Sequence, residues 1–276
     1  MSQANKDTFS VGTFNTWGVP RSAPFVKERY QALCQHIERS SLDLLHLQEV
    51  WFYPLLGIVQ RQLPTYPYLA YKRGLFGPQA GLVTISRFPL TQIEFMHFPP
   101  TGVPPKKRWW ERATEPFKQK GALLSFLPQW SLMTCNCHLL ANMADDWSKA
   151  SQYYHAHTYA IERLATLVNE QAQQEKKVLI MGDFNIPKWS DFYQQFVHLS
   201  QAIDLFEQDE SPTYHQEFWL EPQRLDYVFL RLKEAAQIKV LQKGFLFGEK
   251  VRLSNGESQY LSDHIGLMAV LHFENG

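Results

Sequence analysis

Apolar positions recur along this chain with two different periods, and the switching between them predicts a layered α/β architecture. Continuous or alternating apolar runs of strand length fall at 9–15, 42–50, 80–87, 92–98, 120–127, 131–140, 177–181, 225–230 and 238–247. Between the first two, Val26, Tyr30, Leu33, Cys34 and Ile37 stand three and four residues apart, which predicts an amphipathic helix over 23–39. A longer stripe of Tyr153, His157, Ala160, Ile161, Leu164, Leu167 and Val168 predicts a second helix over about 148–174. Strand-rich segments broken by a few helices fit two packed β-sheets flanked by helices.

Several of these strands end on polar side chains that a bland core strand does not need. Asn15 closes the first, Gln48 and Glu49 the second, His138 the run at 131–140, and Gly182, Asp183 and Asn185 follow the run at 177–181. A lone Gly-Asp-Phe-Asn is also ordinary turn chemistry. The buried-looking run at 225–230 contains one carboxylate, Asp226, which requires a partner there. Ser262-Asp263-His264 adds a third polar cluster near the C-terminus. Polar groups at the mouths of strands far apart in sequence are how α/β folds assemble a site.

Taken in order, Phe14-Asn15-Thr16-Trp17, Leu47-Gln48-Glu49-Val50, Asn136-Cys137-His138-Leu139, Gly182-Asp183-Phe184-Asn185, Leu225-Asp226-Tyr227 and Ser262-Asp263-His264 resemble the endonuclease/exonuclease/phosphatase superfamily. The resemblance covers about 9–272 and implies a four-layer, DNase I-like α/β sandwich that hydrolyses phosphoric esters. Such hydrolysis needs a charge-rich transition state neutralised and a water delivered in line, both tasks for a hard divalent cation with oxygen ligands. Asn15 and Glu49 supply such ligands, with no clustered cysteine or histidine to suggest zinc. The resemblance implies that they hold Mg²⁺, for which Mn²⁺ can substitute, with Asp263 near or in the same set. His264 is the candidate general base, an imidazole being able to take a proton near neutral pH. The family pattern assigns its orienting carboxylate to Asp226. Asp183 and Asn185 would position the water and the phosphoryl oxygens. His138 would donate to a non-bridging oxygen or protonate the leaving group, and both readings stay open.

Within the superfamily, Asn136-Cys137-His138-Leu139-Leu140-Ala141 is similar to the Asn-Thr-His-Leu-x-Ala of neutral sphingomyelinases, with Cys137 in place of Thr. Gln119-Lys120-Gly121 echoes their Asn-Lys-Gly, which marks Lys120 as a candidate substrate contact, and His215 lies in a loop that shapes substrate pockets in this superfamily. The expected substrate is a phospholipid such as sphingomyelin or a lysophospholipid. Inositol polyphosphate 5-phosphatases carry Trp-Cys-Asp-Arg where this chain has Arg224-Leu225-Asp226-Tyr227, which disfavours that branch.

Charge separates the remaining classes. The chain has 27 basic and 27 acidic residues, whereas a protein tracking a nucleic-acid backbone usually shows a basic footprint. A nuclease is therefore the alternative, and a non-catalytic binding module on the same fold a weaker one, because no ligand or base is missing. The segment 104–112 combines Lys106, Lys107 and Arg108 with Trp109 and Trp110. Such a loop suits peripheral membrane contact, with both tryptophans as candidate lipid contacts; folding back onto the core is the bland alternative.

At 276 residues and 45% hydrophobic content, with no linker-like tract, the expectation is one domain over 1–276, residues 1–7 forming a flexible start, and a monomer. No secretory leader or membrane span is visible, so the default location is the cytoplasm, with a non-classical secretion route left open. Three cysteines suit reduced core thiols, Cys135 and Cys137 sharing one strand face. His46 reads as a satisfied core histidine, and His155 and His157 as surface or packed positions on the long helix.

Overall fold

The computed structural model describes residues 7–19, 23–103, 119–174, 177–219, 221–232 and 238–273. Two six-stranded mixed sheets lie face to face. In the first, β1 (Thr8–Asn15) runs parallel to β2 (Leu44–Gln48), and β3 (Tyr68–Ala70), β4 (Val83–Ser86), β11 (Ile238–Leu246) and β14 (Gly266–Phe273) complete the order β11-β14-β1-β2-β4-β3. In the second, β7 (Leu132–His138) runs parallel to β8 (Lys177–Asp183). Around them β5 (Thr91–Phe98), β6 (Lys120–Leu127), β9 (Ile203–Asp204) and β10 (Asp226–Arg231) give the order β5-β6-β7-β8-β10-β9. A small hairpin of β12 (Lys250–Arg252) and β13 (Ser258–Tyr260) stands apart.

Helices close the outer faces, as amphipathic stripes must. α1 (Val26–Arg39) and α2 (Tyr53–Gln62) put Tyr30, Leu33, Ile37, Leu56 and Val59 against Phe14, Leu45, Leu47 and Ile85. α3 (Tyr154–Gln173) and α4 (Asp191–Ser200) put Ile161, Leu164, Val168 and Phe196 against Cys135, Ile180 and Phe229. The four expected layers are thus present. Strand alternation then decides the inner layer: Phe9, Val11, Leu44, Leu179, Met181, Val228 and Leu230 meet between the sheets, while their sequence neighbours face the helices.

The elements are shorter than the patterns suggest. The long helix begins at Tyr154 rather than near 148, because Ser148 and Ser151 turn the preceding chain on itself: their hydroxyls accept from Ala150 N and Tyr153 N at 3.3 Å. The predicted strand at 80–87 shrinks to β4 because Ala80 adopts left-handed φ/ψ in a single 3₁₀ turn. The patterns passed over α2, which carries Pro54 and Gly57, as well as α4, β3, β9 and the β12–β13 hairpin. Cys135 and Cys137 do share a buried face, their sulfurs 3.5 Å apart. Among the described residues no helix is long and apolar enough to cross a membrane.

Candidate functional site

The inward register that builds the core also builds the site. Two residues beyond Thr13 on β1 lies Asn15; beyond Asn136 on β7, His138; beyond Met181 on β8, Asp183; and before Val228 on β10, Asp226. All four point between the sheets at the same end, because β1, β7 and β8 finish there and the antiparallel β10 begins there. Beneath them the inner layer turns polar. Gln48 donates to Asn136 at 2.8 Å and to Thr13 at 3.0 Å, and Asn136 donates to the carbonyls of Leu47 and Val83. His46 is buried with Nδ1 3.4 Å from the Met181 carbonyl and no partner for Nε2; burial lowers its pKa to about 3, so it is neutral. The expectation of a satisfied core histidine therefore holds for one ring nitrogen only.

Turns with unusual backbone bring in the rest. Glu49 sits just past β2 at φ 62° and Asn185 just past β8 at φ 52°, a conformation common for Asn and rare for Glu. Two glycines allow the close approaches required. A Cβ on Gly182 would lie 2.0 Å from the Cys137 carbonyl, and one on Gly18 would lie 2.1 Å from the Glu49 carbonyl.

Asp183 is the hub. It accepts from Asn15 Nδ2 at 2.9 Å, Asn185 N at 2.8 Å and Asn185 Nδ2 at 3.0 Å. Its Oδ2 lies 3.4 Å from His138 Nε2 and 3.8 Å from His264 Nε2. Burial pushes its pKa up, but His264, His138 and Lys120 more than offset this and hold it well below the usual carboxylate range. On one side His264 Nδ1 donates to Asp226 Oδ2 at 2.8 Å. Burial alone would lower the His264 pKa; the charges of Asp226 and Asp183 reverse that and raise it to about 10. Burial, opposed by His264, raises Asp226. On the other side Lys120 Nζ donates to His138 Nε2 at 2.5 Å and lies over the Trp51 ring. Burial, then the Lys120 charge, lowers His138, leaving its Nε2 an acceptor.

The Glu49 carboxylate accepts no hydrogen bond among the described residues, and its side chain is 17% exposed, 3.9 Å from His138 Nε2. Asn15 Oδ1 accepts once, from Trp17 N at 3.0 Å, and keeps a second lone pair. A carboxylate that accepts no hydrogen bond and an amide oxygen with a spare lone pair, both reached from Asp183 and His138, are hard oxygen donors of the kind a small divalent cation takes. Asp263 is more committed, accepting from Tyr214 Oη at 2.5 Å and from Ser262 Oγ at 3.1 Å. Asp183, Asp226 and His264 also bring three ligand atoms within 4.8 Å of one another, a second place where a cation fits.

Of the remaining candidates, the His215 ring stacks on Tyr260 at 3.8 Å, and its link to the site is its backbone N–H, which donates to Asp263 O at 3.0 Å. Trp109 and Trp110, with the rest of the 104–112 loop, lie outside the described residues. Three residues that sequence reasoning passed over hold the site together. Tyr214 bonds Asp263 and sets its ring 4.5 Å from His264. Thr213 Oγ1 accepts from the amides of Leu225 and Asp226 at 3.0 Å, pinning the start of β10. Arg29, 1% exposed, donates to the carbonyls of Thr16, Trp17, Pro24 and Leu261, tying the turn after Asn15 to the segment before Ser262. Its signal was in plain view: Arg29 stands three after Val26 and four before Leu33, a cation on a buried stripe.

A buried acid–imidazole pair, a buried ammonium and hard oxygen ligands around one space define a phosphoric ester hydrolase set between two sheets. The chain belongs to the endonuclease/exonuclease/phosphatase family, whose sequence pattern matches residues 12–264. A candidate neutral sphingomyelinase of Drosophila melanogaster is 24% identical over 95% of this chain; the chain spans 60% of that relative's length. Two solved structures share the fold: sphingomyelinase C from Streptomyces griseocarneus (TM-score 0.65, 15% identity, 97% of this chain and 99% of that one) and D. rerio TDP2 complexed with single-strand DNA product (0.69, 16%, 96% and 99%).

Proposed function

We propose that this chain is a divalent-cation-dependent phosphodiesterase that hydrolyses the phosphoester of a phospholipid, sphingomyelin or a lysophospholipid, by in-line attack of water. The observation that carries the reading is the opposition of two pairs across Asp183: Asp226–His264 on one side and Lys120–His138 on the other. His264 Nε2 would take the proton from water while Asp226 holds the ring by Nδ1. Asp183 and Asn185 would position that water and the phosphoryl group. Lys120, with His138, would meet the charge growing on the phosphoryl or leaving oxygen. A Mg²⁺ or Mn²⁺ held by Asn15 and Glu49, with Asp263 beside them, would neutralise phosphoryl charge and weaken the proton affinity of His264 by repulsion.

The lipid branch is favoured by the balanced charge of the chain and by the sphingomyelinase name of its Drosophila relative. A nuclease is the second reading, favoured by the shared fold of a protein seen with a single-strand DNA product. Detergent-dispersed sphingomyelin and lysophosphatidylcholine, a phosphoinositide and abasic duplex DNA, each with Mg²⁺, Mn²⁺ or chelator, separate them. Release of phosphorylated headgroup, lost in chelator, is expected; cleavage of the duplex without lipid turnover would replace this reading with the nuclease.

A further inference from the structure

The candidate site is shared between the two sheets. Asn15 ends β1, Glu49 follows β2, and Asp263 and His264 precede β14, all in the first sheet; Lys120, His138, Asp183 and Asp226 belong to β6, β7, β8 and β10 of the second. The bonds from Asn15 to Asp183 and from His264 to Asp226 therefore cross from sheet to sheet. Apolar packing between sheets is non-directional and lets them slide, whereas a hydrogen bond demands a distance and an angle. A site divided in this way needs something directional to hold its halves in register.

One inward position below His138 on β7 stands Asn136, fully buried. Its Nδ2 donates to the Leu47 carbonyl at 3.1 Å and to the Val83 carbonyl at 3.0 Å, and its Oδ1 accepts from Gln48 Nε2 at 2.8 Å. All three partners lie in the opposite sheet: Leu47 and Gln48 in β2, directly before Glu49, and Val83 opposite Leu47 on β4. Both N–H groups of the amide and its carbonyl are thus spent across the gap. Gln48 Nε2 carries the connection on to Thr13 Oγ1 at 3.0 Å, one inward position below Asn15 on β1. On the other side, Asn136 and His138 are in register with Met181 and Asp183 of β8.

We infer that Asn136 is a positioning residue that clips the two sheets together just beneath the site, holding Asn15 and Glu49 against Asp183 and His138. Any slip of β7 against β2 is passed straight to those four side chains, because each stands one or two residues from the clip or from a strand locked to it. The inference rests on the roles given to Asp183 and His138 above, and not on the choice of lipid over nucleic acid.

Asn136→Leu keeps the branching of the side chain and removes all three cross-sheet bonds. In the full chain, kcat for soluble bis(p-nitrophenyl) phosphate with Mg²⁺, per folded molecule, is expected to fall roughly tenfold to a hundredfold with KM little changed. NMR in chelator reads the clip without turnover: the side-chain amide protons of Asn15, bonded to Asp183, should exchange with solvent faster in the variant. Leu132→Ala, a destabilising change four residues earlier on the same inner face, should alter neither readout, which separates positioning from stability. Gln48→Met removes one of the three bonds and should give a smaller loss in the same direction, so the question stays answerable if Asn136→Leu does not fold. Unchanged kcat, unchanged Asn15 exchange, or equal effects from Leu132→Ala would each overturn the clip. Faster Asn15 exchange in a protein whose wild type turns over no phosphodiester would leave the clip standing and remove the hydrolytic reading; lost turnover with unchanged exchange would do the reverse.

Discussion

At one end of the layer between the sheets, Phe9, Trp130, Leu132, Leu230 and Phe273 pack together, with Phe9 and Trp130 only 4.2 Å apart. At the other end the same strands, in the same alternating phase, present Asn15, Gln48, Asn136, His138, Asp183 and Asp226. Both ends are equally buried. One gains stability from area removed from water; the other sets ionisable groups against one another in a medium that strengthens every charge. The difference teaches that the register is neutral scaffolding, and that residue identity at the last inward position of each strand turns core into site.

If that division is right, changes at the two ends have opposite signatures, and the largest effect belongs to the polar end. Asp226→Asn should lower kcat by roughly a hundredfold to ten-thousandfold with a smaller effect on KM. His264→Ala should match it, and the double variant should be little worse. NMR titration should also find the His264 pKa, raised to about 10 in the wild type, lower in Asp226→Asn, because the carboxylate charge that raises it is gone. By linkage, the raised His264 contributes stability fully present below the unfolded value of about 6.5 and lost as pH climbs through its folded value. An activity loss only in proportion to lost folded protein would collapse the comparison.

Leu132→Ala tests the apolar end. Leu132 is fully buried, so a loss of about 2–5 kcal/mol in denaturant unfolding is expected, with kcat per folded molecule unchanged. A specific-activity loss at low denaturant would mean that the two ends are not separable.

Outside both regions, His157 is 1% exposed between Trp147 and Phe192, with neither ring nitrogen bonded. Burial lowers its pKa to about 4. A depressed value means stability present above the unfolded pKa and lost as pH falls toward the folded one. The wild type should therefore lose up to about 3 kcal/mol between pH ~6.5 and ~4 from this residue, and His157→Leu should show a shallower acid slope. Parallel slopes would assign the histidine a partner.

Tyr214→Phe is the smallest and sharpens the boundary of the polar end. Removing the hydroxyl frees Asp263 Oδ2 while keeping the ring beside His264. A kcat loss of about tenfold, near 1.4 kcal/mol, with a shifted Mn²⁺ dissociation constant by electron paramagnetic resonance, would mark Tyr214 as positioning Asp263. An unchanged metal affinity would confine it to packing.

The sequence by itself determined the layers and supplied candidates for the site. Strand period and helical stripe fix which face of each element is apolar, and a carboxylate or imidazole at a strand end is visible because burying it unpaired is too costly to be accidental. Asp183, Asp226 and His138 stood out on that ground, whereas Asn15, Glu49 and His264 were singled out by the order of the motifs that resemble the family; the structure brings the six to one end of the sheets. Tertiary structure alone decided the pairings: that Lys120 reaches His138, that Tyr214 takes Asp263, that Arg29 ties two loops through carbonyls 245 residues apart, from Thr16 to Leu261. It also decided that Leu75, Phe76, Met143, Trp189 and Trp219 stand out of the core. Periodicity is a local property, set by the chain's own geometry, whereas a hydrogen bond or an exposed tip depends on which distant segment the fold brings to that point in space.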